Sequence, residues 1–504
     1  MPGQNPRNVS KLSAAALALA AATLVLGAGV TAQEAIGLRP AGATARPVPV
    51  SRPSGGAGAE QPARLPSGPA RAAPVRRDRQ PTSRPVQSGF RSATLAPDVA
   101  RAVRPLAGPE PGGPLLRMPR RAVTADPYAP VGYRVGNVAL FPAVGQSAGY
   151  DSNPNRIAGD KKGSAVLRTE GELRLQSDWS RHELSGLLRG AYNDYPSVRS
   201  ADRPEGAGRI NLRLDATRDL RIDLETRGTL DSLRPGSPEL SAAAVRDRPL
   251  VGSVGASAGV TQRFSRVSLG LRGGVDRTVF EDARLTDGTI LDQSDRDRTQ
   301  YEARLRAGYE VKPGWTPFIE GIADTRRYDR GLDDSGFRRS SDGLGARAGS
   351  TFAITPILTG EASAGLVTRD YEDVRLGELR GPIAEGALIW APTPLTTVRL
   401  RGGSEIGETS VSEANGVLFS RATLEVQHDL RRNLSLIGAV TVSEADYSGV
   451  RLREEGLAGS IKLDYRLTRS VALRASFTHE RLKSTDPGSD YTANVVLVGL
   501  RFQP

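Results

Sequence analysis

The stretch LVGSVGASAGVTQRF, Leu250–Phe264, then Ser265-Arg266, then VSLGLRGGVDRTVF, Val267–Phe280, decides the fold. In the first arm Leu250, Val254, Ala256, Ala258, Val260 and Phe264 share one parity, and Ser253, Ser257, Thr261 and Arg263 share the other. In the second arm Val267, Leu269, Leu271 and Val275 oppose Ser268, Arg272 and Asp276. Two arms alternating with period two across a short polar turn predict an antiparallel hairpin. Each arm is long enough to cross a bilayer as a tilted strand.

The unit recurs. Eighteen alternating runs can be placed between 138 and 502, separated by connections that alternate in length. Short turns fall at Ser180-Arg181, Asp219, Ser265-Arg266, Lys312-Pro313-Gly314, Thr355-Pro356, Pro392-Thr393-Pro394, Arg431-Arg432 and Arg469-Ser470. Generally longer polar loops lie between them, among them 150–163, 233–249 and 281–297. Short turns at one rim and long loops at the other are the layout of an outer-membrane barrel. The expectation is an all-β, antiparallel transmembrane barrel of about 18 strands (16–18). An even strand number puts both barrel ends on the short-turn, periplasmic side. Aromatics point the same way. Trp179, Trp315 and Trp390, with Tyr309 and Tyr465, fall at short-turn ends. Tyr150, Tyr192, Tyr195, Tyr301, Tyr328, Tyr371, Tyr447 and Tyr491 fall near long-loop ends, so two interfacial girdles are expected.

Composition agrees. The chain has 504 residues, no cysteine, 56 glycines and a hydrophobic fraction of only 38%. Absent cysteine excludes disulfides, thiolate metal sites and a cysteine nucleophile. Low hydrophobicity disfavours helical membrane bundles but suits a barrel, which needs apolar residues only at alternate positions. The net charge of +12 is unevenly spread. Residues 33–130 carry 15 arginines, no lysine and 6 acids, and Arg7 and Lys11 add two more charges, which leaves about +1 for 131–504.

Three regions follow. Residues 1–32 read as a secretory signal, with Arg7 and Lys11 before the apolar run Leu12–Val30 and a small-residue site at Val30-Thr31-Ala32; an uncleaved anchor is the alternative. Residues 33–130, rich in Pro, Ala and Arg, read as a disordered periplasmic segment. It is either a spacer or a basic tether to peptidoglycan, lipopolysaccharide or another anionic polysaccharide. Nucleic acid is not an expected partner, because the arginines lack interleaved aromatics and the chain is exported. Residues 131–504 are the barrel.

The parity opposite to the apolar one is strongly charged. Arg174, Arg213, Arg227, Arg272, Arg304, Arg306, Arg399 and Arg401 are its candidate lumen-lining arginines, with carboxylates such as Glu170, Glu172 and Glu302 and the cation Lys462 on the same parity. Two readings stand. One is a water-filled pore favouring anionic or sugar solutes; the other is a structural ladder of compensated charges. Catalysis is not expected. His182, His428 and His479 lie near strand ends on apolar parity, without a partner serine or carboxylate at evident spacing. No cofactor or metal is implied, and Gly255 to Gly259 reads as small residues on tightly packed, curved strands.

The most distinctive local motif is Tyr150-Asp151-Ser152-Asn153-Pro154-Asn155-Arg156. Asp151, Asn153 and Asn155 have the oxygen spacing that opens a calcium loop, but neither the glycine nor the distal glutamate follows, so a turn is the favoured reading. This motif, before a charged second strand, resembles the putative β-barrel porin 2 family of proteobacterial outer-membrane proteins over roughly residues 135–504. The resemblance implies an outer-membrane barrel embedded in lipid and lipopolysaccharide and inserted by the barrel assembly machinery. Val496, Val498, Leu500 and Phe502 alternate as an insertion signal requires, although Gln503-Pro504 follow. It also implies a channel for hydrophilic solutes or, as some members are associated with exopolysaccharide production, a polymer-export component. A structural barrel tethered to the cell wall by its basic leader is the third reading.

Overall fold

The computed structural model describes residues 127–240, 245–355 and 357–504. The expected signal segment 1–32, nearly all of the expected leader 33–130, and Pro356 of one expected turn lie outside the described residues.

Eighteen antiparallel strands form one closed sheet. They are β1 Val138–Asp151, β2 Ser164–Ser177, β3 Glu183–Asp194, β4 Arg203–Asp215, β5 Leu220–Ser232, β6 Leu250–Phe264, β7 Val267–Phe280, β8 Arg298–Tyr309 and β9 Trp315–Tyr328. The second half comprises β10 Ser341–Thr355, β11 Leu358–Tyr371, β12 Leu379–Thr393, β13 Thr396–Gly407, β14 Gly416–Arg431, β15 Leu434–Ser448, β16 Leu452–Arg466, β17 Val471–Ser484 and β18 Tyr491–Phe502. Each strand pairs with its chain neighbours, and β1 closes on β18 from Val144↔Phe502 to Asp151↔Val495. Below that seam the start of β1 pairs instead with the short strand Tyr133–Val135.

The opening hairpin has the register its pattern requires, Phe264↔Val267 through Val251↔Phe280. Ser265 adopts φ 55°, the positive value a primed two-residue hairpin needs at its first position. The turn expected at Asp219 alone is longer, 216–219, because Thr217 Oγ1 accepts the backbone N–H groups of Asp219 and Leu220.

Alternation sorts the side chains. Ile319, Leu344 and Leu366 are about two-thirds exposed on the outer face, and Val260, Leu271, Val440 and Val498 join them around the ring. The charged parity faces the concave side, as ion pairs that skip strands demonstrate. Arg227 of β5 meets Asp276 of β7 at 2.5 Å, Arg347 of β10 meets Glu385 of β12 at 2.7 Å, and Arg306 of β8 meets Glu361 of β11 at 2.8 Å. Strands lie about 4.8 Å apart, so side chains two or three strands away converge only on the inside of a curved wall.

Glycine makes some of these crossings possible. A Cβ on Gly255 of β6 would collide with the Asp276 carboxylate that reaches over it to Arg227. At Gly343 of β10 it would come within 2.7 Å of Asp324, which crosses to Arg369.

The tyrosine girdle needs correction. Tyr150, Tyr192 and Tyr301 are about half exposed on the outside, and Trp179, Trp315 and Trp390 are exposed at the short-turn rim. Tyr195, Tyr447 and Tyr491 are only 2% exposed, and Tyr328 and Tyr371 sit on inward parity. Tyr447 and Tyr491 join Val417, Phe419, Ala445, Leu482 and Ala493 in an apolar core inside the long-loop rim. Sequence proximity to a loop fixes the height of a side chain, whereas parity fixes its face.

Candidate functional site: the lumen and its mouth

The eight arginines singled out from the sequence fall into two groups. Six have neighbours that compensate or cover the guanidinium. Arg213 lies 3.3 Å from both Glu183 and Asp215, Arg227 binds Asp276 and Glu225, and Arg304 meets Glu302 at 2.6 Å. Arg306 meets Glu361 and stacks 3.4 Å over the Phe318 ring, Arg399 meets Glu425 at 2.5 Å, and Arg174 lies 4.5 Å over Phe141. The other two differ. Arg272 donates to Ser257 Oγ at 3.3 Å and pairs in register with Arg304, a like charge. Arg401 is exposed. Among the described residues neither has a carboxylate within ion-pair distance.

The histidines make local contacts. His182 Nδ1 accepts the Asp215 N–H, His428 meets Thr396 Oγ1 at 3.0 Å, and His479 meets Asn494 Oδ1 at 2.8 Å.

The long-loop rim holds more than the sequence reading anticipated. The first half of the β5–β6 loop, residues 233–240, reaches across the mouth. Arg234 donates to Ser489 O at 2.8 Å and to Glu454 of β16 at 3.2 Å, and lies 5.2 Å over the Tyr491 ring. Ser489 Oγ donates back to Gly236 O at 2.7 Å. β5 and β16 are seven strands apart by the shorter path round the ring, so this strap bridges well-separated walls. Arg296 of the β7–β8 loop holds Glu239 at 3.1 Å, and Arg248 donates to Pro154 O in the β1–β2 loop. Both partners of the Arg234–Glu454 pair are about 4% exposed.

A second set of contacts spans β9 to β13. Arg326 binds Glu408 and the Ile406 carbonyl, Tyr328 donates its hydroxyl to Glu408 at 3.2 Å, and Arg339 donates to Ala414 O at 2.9 Å. Tyr328, Arg339 and Glu408 line a small polar recess with Asp295, Arg296 and Arg298. Burial alone would raise the Glu408 pKa, but Arg326, Arg369 and Arg298 outweigh it and hold the carboxyl below its ordinary 4.5. A depressed folded-state value stabilises the fold above about pH 4.5. That contribution disappears as pH falls through the lower, folded-state value. Thermal unfolding in detergent, followed from pH 6 downward, should therefore show a steeper acid loss for the native chain than for Glu408→Gln. Parallel profiles would count against this role.

The motif at 150–156 is more than the turn expected of it. Asp151 is fully buried, and Arg156, at φ 56°, is 2% exposed. Arg156 holds Asp151 at 2.8 Å and Glu480 of β17 at 2.7 Å. Asn153 receives Ile157 N–H and donates to Ile157 O and to Thr492 O of β18, and its own N–H goes to Asp151. Ser152 and Asn494 exchange two more bonds, and Tyr195 donates to Asp151 at 3.3 Å. Tyr150 points outward, and Pro154 O accepts from Arg248. Asn155 Nδ2 donates to Ser200 Oγ at 3.2 Å. The motif is a clasp, set where the β1–β18 ladder ends. Burial alone would lower the Arg156 pKa, but Glu480 and Asp151 outweigh it and hold it well above its ordinary value.

The family model of the putative β-barrel porin 2 proteins matches residues 126–504, three-quarters of the chain and its whole barrel. The chain belongs to that family. It is a porin-like outer-membrane channel, and the concave charged face described above is the wall of a porin barrel. No curated protein matches the chain. Among solved structures it is similar to OccAB3 of Acinetobacter baumannii, at 11% identity and TM-score 0.38 over 73% of this chain and 100% of that one. OccK2 (OpdF) of Pseudomonas aeruginosa matches at 9% identity and TM-score 0.36, over 73% of this chain and 98% of its own. A BenF-like porin of Pseudomonas fluorescens Pf-5 matches at 9% identity and TM-score 0.36, over 73% and 99%.

Proposed function

We propose that this porin-like barrel is a passive channel for small hydrophilic solutes, with its long-loop rim outward and its short turns in the periplasm. The observation that supports this best is the unmatched lumen cations. Most of the charged wall is internally compensated, which keeps it wettable without strong selectivity. Arg272 and Arg401 retain donors for a passing carboxylate or sugar hydroxyl. Embedding lipid, lipopolysaccharide and the barrel assembly machinery are the partners this role requires. Nothing in the barrel favours polymer export or a cell-wall tether over this reading, and the basic leader on which the tether depends lies outside the described residues. Refolded full-length protein in planar bilayers should give discrete conductance steps in potassium chloride; a silent bilayer after verified insertion would reject the channel.

A further inference from the structure

The short-turn rim is unevenly charged. In three of its turns a cation is accompanied by an acid: Arg181 by Asp178, Arg218 by Asp219 and Lys312 by Glu310. The adjacent turns β14–β15 and β16–β17 differ. They read Leu430-Arg431-Arg432-Asn433 and Leu467-Thr468-Arg469-Ser470, with no acid in either. Backbone and side chain tie the two together, since the Arg466 N–H donates to Asn433 O at 2.8 Å and Asn433 Nδ2 donates to Arg466 O at 3.1 Å. Arg431, Arg432 and Arg469 are exposed. Arg469 Nε donates to the Pro127 carbonyl at 2.7 Å, and among the described residues none of the three has a carboxylate within ion-pair distance. The acids closest in sequence are engaged elsewhere. Asp429 accepts from Ser435 Oγ at 2.7 Å, and Asp464 lies 3.0 Å from Arg474. Leucines stand beside these arginines. Leu430 and Leu467 are 50% and 47% exposed, and they continue the lipid-facing rows of Leu424 and Val426 on β14 and of Leu457 and Ile461 on β16.

We propose that Arg431, Arg432 and Arg469, with Leu430 and Leu467, form a docking surface for an anionic phospholipid. Its headgroup phosphate lies on the arginines and its acyl chains lie against the leucines. Guanidinium forks donate to phosphate oxygens in pairs, and three of them here have no competing carboxylate. The exposed leucines choose the partner. A polymer in the periplasm offers anions but nothing against which an apolar side chain can be buried, whereas a lipid satisfies both rows at once. The surface rests on the barrel's place in the membrane and not on conduction, so a silent bilayer leaves it standing.

The test titrates the full-length barrel in detergent with phosphatidylglycerol or phosphatidylcholine and counts bound lipids by native mass spectrometry. The native chain should prefer phosphatidylglycerol by about fivefold for each arginine engaged. A triple variant carrying Arg431→Gln, Arg432→Gln and Arg469→Gln should lose the preference, and Arg218→Gln, beside Asp219, should keep it. Leu430→Ser combined with Leu467→Ser should weaken the binding of phosphatidylglycerol. Heat-modifiable migration verifies that each variant is folded. Equal affinity of the native chain for the two lipids, a preference that survives in the triple variant, or an equal loss in Arg218→Gln overturns the surface. So does displacement of the lipid by inorganic phosphate, or a triple variant that loses retention on purified peptidoglycan while keeping its lipid preference.

Discussion

Arg156→Ala is expected to cost the folded barrel about 3–5 kcal/mol, the usual loss when one partner of a buried charge set is removed. Asp151 and Glu480 are 0% and 1% exposed and both face this guanidinium. Its removal takes the shared guanidinium from two buried carboxylates in one site. The damage falls where the first and last strands meet, so the seam opens first. Heat-modifiable migration on gels and the urea midpoint in detergent read the loss. Arg156→Lys should fall between, because an ammonium keeps the charge but not the fork that serves two carboxylates. Arg134→Ala is the comparison. Its pair with Asp178 is 57% and 38% exposed, and such pairs contribute about 0–1 kcal/mol. Equal midpoints for Arg156→Ala and Arg134→Ala would refute the clasp.

Arg234→Ala should release the strap and raise single-channel conductance. The strap is fastened to β16 through one arginine, and its removal strands Glu454 without a cation. A penalty of about 3 kcal/mol shifts the strapped–released equilibrium by roughly a hundredfold, enough to bring an opening populated at about 1% to near parity. Glu239→Gln, which loosens the second anchor at Arg296, should act in the same direction but more weakly, since it leaves Arg234 in place. The barrel ladder itself is untouched, so the urea midpoint should move less than for Arg156→Ala. Conductance of Arg234→Ala indistinguishable from the native chain would mean that the strap does not narrow the path.

The strands were legible because their signal is local. Period-two alternation marks each strand's face and length, and alternating loop lengths reveal the rim, so eighteen strands could be placed within a few residues of their ends. The mouth was not legible. Arg156 meets Glu480 across 324 positions, and Arg234 meets Glu454 across 220. No spacing rule links such partners, and each arginine sits in a loop whose composition suits plain solvent exposure. Tyr447 and Tyr491 were misplaced for a related reason. At the long-loop rim, inner and outer rows both carry tyrosine, and position near a loop does not choose between them. The lumen arginines were legible as a face but not as individuals. Whether Arg306 meets an acid depends on Glu361 three strands away, while Arg272 faces Arg304 directly.

The glycine beneath the Arg227–Asp276 pair has a consequence for assembly. Apolar alternation distinguishes a strand from its one-residue slip, which turns every side chain over, but it is blind to a slip of two. A two-residue slip of β6 would carry Gly255 away and bring Ser253 or Ser257 under the crossing carboxylate. Each has a Cβ where the present geometry has no room for one. Such gaps act as notches that accept only one alignment of neighbouring strands, so the lumen wall proofreads a pairing that the lipid-facing wall cannot.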